Sequence, residues 1–249
     1  MFLDGKYHNT ESLRKEFKLN CQELKIELSM KAYEINSIKE SMNMKNNIKK
    51  NSELHFNEIA KNYNNSHDGK FVKCMYDEII DRVLKKQPKD ILDLGCGNGN
   101  ILSILSDCTD ANLFGLDLSK NMIYEAQKKL NDKVQLDIGD SENLPYDDDK
   151  FDLVICNASF HHYTNPQKVL KEIKRVLTPS GTLILGDPTA PFEWYLKILN
   201  YFLPKTNSGD YKIYSKNEIY SLLNASGFTP SNWKKINHSA FIIDATITN

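Results

Sequence analysis

Long apolar runs are absent from this sequence. No uninterrupted apolar stretch in the chain approaches the roughly 20 residues that a membrane-spanning helix needs. The N-terminal segment, MFLDGKYHNT, lacks the apolar core of a signal peptide. We therefore expect neither a membrane span nor secretion, and a cytoplasmic location is the default.

Paired cysteines and an excess of positive charge are also lacking. The five cysteines are scattered and none has CxxC spacing, so neither a disulfide framework nor a zinc site is favoured. The formal net charge is -1, without the basic excess that is typical of nucleic-acid-binding proteins. With 249 residues and 40% hydrophobic content, the chain suits one well-buried domain plus an extension.

The N-terminal fifth of the chain has no proline, and no glycine after Gly5. Its apolar residues recur mostly at steps of three or four, which predicts one long helix or two shorter ones. We expect residues 1–52 to be a helical extension and residues 53–249 to be the main domain. The extension is expected to pack on that domain or to form a homodimer with a second copy. A cap over a substrate or a partner-binding arm is the alternative.

The most informative stretch is DILDLGCGNGN, residues 90–100. Its apolar residues predict a short buried strand, and three glycines at alternate positions predict a turn whose backbone a ligand can approach closely. The apolar pattern that follows predicts a helix whose first amides face the turn. A strand, a glycine turn and a helix in this order favour a polar ligand, and a tight turn without any ligand is the alternative.

Two further strands are predicted to end in acids. The predicted strand in ANLFGLDLS ends at Asp117, about 20 residues beyond the glycines. A carboxylate at this position can accept hydrogen bonds from both ribose hydroxyls of an adenosine. Asp140 ends VQLDIGD and is followed by SENLP. Upstream, residues 55–65 have helical spacing and precede a polar loop through Gly69, after which a helix is predicted over residues 71–86.

Four signals in this order resemble class I S-adenosylmethionine-dependent methyltransferases: DLGCGNG, Asp117, Asp140 with its Leu-Pro, and the PSG turn at 179–181. The resemblance covers roughly residues 55–248. It implies an α/β fold, a Rossmann-like seven-stranded sheet with helices on both faces and an antiparallel last strand. The segment NASFHH, residues 157–162, is similar to that of small-molecule enzymes related to the ubiquinone and menaquinone biosynthesis methyltransferases.

The resemblance also implies which residues bind the cofactor, S-adenosylmethionine, whose product is S-adenosylhomocysteine. Asp140 would accept from the adenine amino group, Met122 would pack on the ring and Tyr63 would lie over the cofactor. Ordinary core packing is the alternative for Met122 and Tyr63. The predicted cofactor-binding residues are Tyr63, Asp93, Gly95, Cys96, Gly97, Asp117, Leu118, Met122, Asp140, Ser141 and Asn157.

A fourth strand is predicted over residues 151–156, and two adjacent histidines follow it, where a substrate would meet the cofactor. His161 or His162 is the candidate catalytic residue, because imidazole can remove a proton at neutral pH. Adjacent side chains diverge in most backbone conformations, so we expect the pair not to chelate a metal, and we predict no metal site.

These patterns predict transfer of a methyl group to a small-molecule acceptor, with oxygen, nitrogen, sulfur and carbon all open as the acceptor atom. Two alternatives belong to other classes. A noncatalytic or partner-regulated scaffold would share the fold, and a nicotinamide-dependent oxidoreductase would share the strand, the glycines and Asp117. The GxGxG spacing, in place of GxGxxG, argues against the oxidoreductase.

Overall fold

The computed structural model describes residues 8–130, 132 and 134–248. Contacts divide the chain into two units, of which the first ends at Asn47 and the second begins at Ile48. The division thus lies before residue 48, slightly upstream of the boundary predicted after residue 52. Residues 1–7 of the predicted extension lie outside the described residues.

The predicted N-terminal helix is confirmed. Helix α1 (His8–Ile59) continues into a 3-10 turn, Ala60–Asn65. The absence of proline and glycine from its interior removes the two residues that most destabilise a helix. Within the described part of the chain, no helix combines the length and the apolar character that crossing a membrane requires.

A seven-stranded sheet forms the centre of the second unit. The spatial order is β3-β2-β1-β4-β5-β7-β6. The first five strands are parallel, and β7 pairs antiparallel with both β5 and β6, which confirms the predicted sheet. The strands are β1 (Asp90–Leu94), β2 (Asn112–Asp117), β3 (Val134–Ile138), β4 (Phe151–Asn157), β5 (Leu177–Pro188), β6 (Phe228–Lys235) and β7 (Ala240–Ile247).

Helices cover both faces of the sheet, so its central strands are buried on both sides. Leu92 and Leu94 of β1 belong to one apolar core and Ile91 to the other, as the alternation of a strand requires. Helices α6 and α8 contribute to the first core, and α3, α4 and α5 to the second. The helices after α1 are α2 (His67–Val72), α3 (Tyr76–Lys86), α4 (Asn100–Cys108), α5 (Lys120–Lys129), α6 (Pro166–Val176), α7 (Glu193–Phe202) and α8 (Lys216–Ala225).

The predicted polar loop before α3 is wrong. Ser66 caps α2 by accepting a hydrogen bond from the Gly69 amide at 3.0 Å, and a 3-10 turn, Lys73–Met75, joins α2 to α3. Gly69 is needed inside α2 because a Cβ there would lie 1.9 Å from the Tyr63 carbonyl oxygen. The backbone of α2 therefore packs directly on the carbonyl of Tyr63.

Candidate functional site

The glycine turn after β1 opens onto a cavity at the carboxyl edge of the parallel strands. The Gly95 amide donates to the Leu116 carbonyl at 2.8 Å, which ties the turn to β2. Gly95 and Gly97 have φ of 75° and 53°, a region that disfavours other residues. A Cβ on Gly95 would lie 2.5 Å from the Ser159 Cβ, whereas one on Gly97 would meet nothing within 4 Å. The backbone at Gly97 is therefore open to a ligand.

Asp117 at the end of β2 is held by the backbone on both carboxylate oxygens. Oδ2 accepts from the Gly97 amide and Oδ1 from the Ser119 amide, both at 2.8 Å. Burial raises the pKa of the Asp117 carboxyl above its ordinary value, and these amide hydrogen bonds offset part of that rise. Each carboxylate oxygen keeps a lone pair, so a half-buried, fixed acceptor for two hydroxyl groups lies beside the turn.

A cavity of about 820 Å³, including its open mouth, contains most of the predicted site. A smaller adjoining pocket contains Asp93 and Cys96, and His161 lies outside both. The predicted residues that line the main cavity are Tyr63, Gly95, Gly97, Asp117, Leu118, Met122, Asp140, Ser141, Asn157 and His162.

The adjoining pocket holds negative charge without a matching cation. Asp93 is 2% exposed, and burial together with the Asp117 charge raises its pKa to about 7. None of the described residues that line this pocket is Lys or Arg. Asn157 lines both cavities, and its Oδ1 atom is buried without a hydrogen-bond partner in the described part of the chain. A cationic, hydrogen-bond-donating ligand fits this pocket.

The carboxyl-terminal part of α1 forms one wall of the main cavity, which the sequence interpretation missed. The Lys49 ammonium pairs with the Asp140 carboxylate and lies 3.5 Å from Glu142 Oε1. Helical spacing is the signal that could have found this wall, because its residues recur at steps of three, one and three. They are Lys49, Ser52, Glu53 and Phe56.

Aromatic rings meet at the same wall. Phe56 packs edge-on against Tyr63 and against His162, with ring centroids 6.4 Å and 5.1 Å away. Burial raises the pKa of the Tyr63 hydroxyl, which therefore stays protonated. The structure thus brings Tyr63 and His162 together around Phe56, a contact that spacing alone did not predict.

The prediction that His161 and His162 diverge is wrong. Both lie in a 3-10 turn, Phe160–His162, and their ring centroids are 4.0 Å apart. His161 Nδ1 lies 2.8 Å from Asp187 Oδ1. His161 Nε2 and His162 Nδ1 each lie 3.4 Å from Asp210 Oδ1. The tight turn and the return of the chain at Asp210 make the side chains converge.

The two histidines have opposite electrostatic environments. Burial alone would lower the pKa of His161, but the charges of Asp187 and Asp210 outweigh it and raise that pKa well above its ordinary value. Burial, followed by the charge on His161, lowers the pKa of His162. His162 Nδ1 donates to the Gly209 carbonyl at 3.0 Å, and no described residue hydrogen-bonds its Nε2. His162, not His161, therefore offers a neutral ring nitrogen at the cavity.

The contrast between Gly95 and Gly97 yields a paired prediction. Gly97→Ala adds no steric clash and should cost about 1–2 kcal/mol of folding free energy for its left-handed backbone. Its methyl group would occupy the cavity beside Asp117, so we expect ligand affinity to fall at least tenfold in a folded protein. Gly95→Ala should instead lower thermal stability, because Ser159 blocks the new methyl group. Calorimetric titration and thermal unfolding measure the two effects, and unchanged affinity in Gly97→Ala would contradict a ligand at this turn.

Comparison with protein families identifies the centre of the chain. Residues 92–185, which extend from β1 into β5, match the family model described as a methyltransferase domain. A demethylmenaquinone methyltransferase from Thermotoga maritima is 30% identical over 146 residues, which are 55% of this chain and 63% of that protein. The chain spans less than two thirds of the length of the curated relatives that it matches first, from 36% to 63%.

Solved structures share the fold over a longer part of the chain. A Haloferax volcanii methyltransferase, solved in complex with the Trm112 methyltransferase activator, superposes with a TM-score of 0.66 at 20% identity, covering 80% of this chain and 98% of that one. A Burkholderia thailandensis 1,6-didemethyltoxoflavin-N1-methyltransferase was solved with bound 1,6-didemethyltoxoflavin and S-adenosylhomocysteine. It superposes with a TM-score of 0.56 at 18% identity, covering 77% of this chain and 88% of that one. At these identities the likeness shows the fold.

Proposed function

We propose that this chain, which carries a methyltransferase domain in an S-adenosylmethionine-dependent methyltransferase fold, transfers a methyl group from S-adenosylmethionine to a small-molecule acceptor. The unneutralised carboxylates around the glycine turn are the observation that carries this proposal. S-adenosylmethionine has a sulfonium and an ammonium group, both of which complement Asp93 and the orphan Oδ1 of Asn157. A nicotinamide dinucleotide would bring a diphosphate to the same turn, where the Asp93 carboxylate would repel it.

The residues along the cavity support the proposed positions for the rest of the cofactor. Asp117 is fixed to accept from the ribose hydroxyls, and Met122, 1% exposed at the start of α5, offers an apolar surface for the adenine. Asp140 Oδ1 accepts from the Glu142 amide at 3.0 Å, and its carboxylate also pairs with Lys49. The adenine amino group would therefore share Asp140 with Lys49, which orients this carboxylate.

The acceptor would lie against the aromatic wall. S-adenosylmethionine supplies a methyl group that is already activated, so the protein mainly has to align an acceptor atom and exclude water. Phe56 and His162 present perpendicular rings, which suit a flat acceptor. His162 Nε2 is positioned to accept a hydrogen bond from that acceptor and so to orient it. The Thermotoga relative is named for demethylmenaquinone, which makes quinols the first class to test.

Calorimetric titration with S-adenosylmethionine, S-adenosylhomocysteine and NADH tests the cofactor. We expect micromolar binding of the first two and no binding of NADH. Binding of NADH alone would favour the oxidoreductase. Binding of none would favour a noncatalytic or partner-regulated scaffold and would contradict the proposal.

His162 variants test the position of the acceptor. A panel of quinols, amines, thiols and carbon acids is incubated with S-adenosylmethionine, and formation of S-adenosylhomocysteine identifies a substrate. With that substrate, His162→Phe keeps the ring against Phe56 but removes its nitrogens, so we expect kcat/KM to fall about tenfold or more. His162→Gln keeps a polar atom near Nε2 and should retain more activity. Equal activity of His162→Phe and the unmodified chain would contradict this position of the acceptor.

The proposal includes no nucleic-acid partner, and pairing of the N-terminal helices in a homodimer stays a prediction. Sedimentation equilibrium of the full chain, compared with a chain that begins at residue 48, measures that pairing directly. A mass of one chain for both proteins would contradict it.

A further inference from the structure

Two histidines and two carboxylates form a compact group beside the cavity: His161, His162, Asp187 and Asp210. We propose that three of them bind one divalent transition-metal ion such as Zn²⁺, through His161 Nε2, His162 Nδ1 and Asp210 Oδ1. One ligand atom from each of the three residues lies within 4.8 Å of the other two, and nitrogen and oxygen donors of this kind are ligands that zinc prefers. The proposal concerns metal binding alone and does not depend on methyl transfer.

The distances suit tetrahedral coordination. Zn²⁺ holds imidazole nitrogen and carboxylate oxygen at about 2.0–2.1 Å, which separates neighbouring ligand atoms by about 3.3–3.4 Å in a tetrahedron. Asp210 Oδ1 lies 3.4 Å from His161 Nε2 and 3.4 Å from His162 Nδ1. The two distances from Asp210 Oδ1 to the histidine nitrogens thus already match those between ligand atoms in a tetrahedron. Three protein ligands leave a fourth position for water.

Asp187 orients one of the ligands. It is fully buried at the end of β5, and its Oδ1 lies 2.8 Å from His161 Nδ1. A carboxylate on the outer nitrogen of a metal-binding histidine fixes the tautomer in which the other nitrogen carries the lone pair. For His161 that other nitrogen is Nε2, which faces Asp210 and would release its proton when a metal binds. The second oxygen of Asp187 is buried and has no hydrogen-bond partner among the described residues, so local negative charge is left over.

The ligand residues come from different parts of the chain, and backbone contacts hold them together. The Tyr211 and Lys212 amides both donate to the His161 carbonyl at 2.9 Å, which keeps the neighbouring Asp210 at the histidine turn. Gly209, with φ of 76°, packs so tightly that a Cβ would lie 2.3 Å from the Ser52 Cα. These backbone contacts hold Asp210 beside the histidine turn before a metal binds. Metal on His162 Nδ1 would replace its hydrogen bond to the Gly209 carbonyl and move the ring proton to Nε2, so the cavity would face a donor in place of an acceptor.

Binding of Zn²⁺ and Co²⁺ to the full chain, stripped of metal with a chelator, tests the proposal. We expect one ion per chain by calorimetry and the visible spectrum of tetrahedral Co²⁺. Asp210→Asn removes a ligand and Asp187→Asn removes its orienting partner, so each should weaken binding at least tenfold. Asp68→Asn is the matched control, because Asp68 also contacts two histidines, His55 and His67, in a separate group.

Two results would overturn the metal site. Absence of the tetrahedral Co²⁺ spectrum in the unmodified chain would leave His161 as a protonated bridge between its carboxylates, and this result needs no variant. Zn²⁺ affinity that Asp210→Asn and Asp187→Asn leave unchanged, in variants whose circular dichroism shows them folded, would place the ion elsewhere.

Discussion

Asp117→Ala is expected to weaken the binding of S-adenosylmethionine at least tenfold. The variant removes a charged acceptor for two ribose hydroxyls, and a hydrogen bond to a charged group contributes about 1.5–3 kcal/mol. Loss of about 1.4 kcal/mol is already tenfold in affinity. The Gly97 and Ser119 amides would also lose their acceptor, so the turn that contacts the ligand would loosen. Calorimetric titration with S-adenosylmethionine and S-adenosylhomocysteine measures the effect, which should be similar for both.

Asp152→Ala is the matched control for this variant. Asp152 Oδ2 likewise accepts from two backbone amides, those of Lys89 and Asp90, at 2.9 Å and 3.3 Å. It lies at the start of β4, whereas the cavity lies beyond the ends of the strands. We expect Asp152→Ala to lower stability without changing affinity. Equal affinity in folded Asp117→Ala and the unmodified chain would contradict the role of Asp117.

The glycine-turn side of the candidate site was predictable because its signals are local. Gly95 and Gly97 follow one short buried strand and Asp117 ends the next, and parallel strands bring their carboxyl ends to one edge wherever the sheet forms. The pattern therefore specified the neighbourhood without a tertiary model. The same logic extends to Asn157, which ends β4 beside β1.

The other side of the site depends on contacts that no local pattern encodes. Asp187 reaches His161 because Asn157 pairs with Gly186 in the register of β4 and β5. Asp210 reaches the histidines because the chain beyond α7 returns to the 3-10 turn. Polar residues at such long sequence separation carry no periodic signal, so only the adjacency of the two histidines was left to predict their geometry, and adjacency alone predicts divergence.

Asp93→Asn is expected to have opposite effects on stability and on cofactor binding. Burial and the Asp117 charge raise the pKa of Asp93 to about 7, above its value in an unfolded chain. The folded state therefore binds more protons than the unfolded state between those two pKa values, and this residue's contribution to stability is lost as the pH rises through about 7. Asparagine cannot ionise, so at pH 8 the free variant should be more stable, by at most about 4 kcal/mol, with the difference vanishing near pH 4.

Whereas the stability of Asp93→Asn should rise, its affinity for S-adenosylmethionine should fall. A cationic cofactor interacts with the ionised carboxylate, so in the unmodified chain the affinity for S-adenosylmethionine should fall as the pH drops below about 7. Asp93→Asn should bind more weakly at pH 8 and lose this pH dependence.

Asp244→Asn is the contrasting buried control: Asp244 pairs with the Arg82 guanidinium at 2.9 Å, and removing its charge should destabilise the fold. Thermal unfolding and calorimetry across this pH range measure both quantities. If the ligand-free Asp93→Asn chain were less stable at pH 8, the ionised Asp93 would not destabilise the fold. If the pH profile of binding were also unchanged, Asp93 would not interact with the cofactor's charge. The expected pattern instead means that the protein keeps a destabilising carboxylate in its core because the cofactor neutralises it.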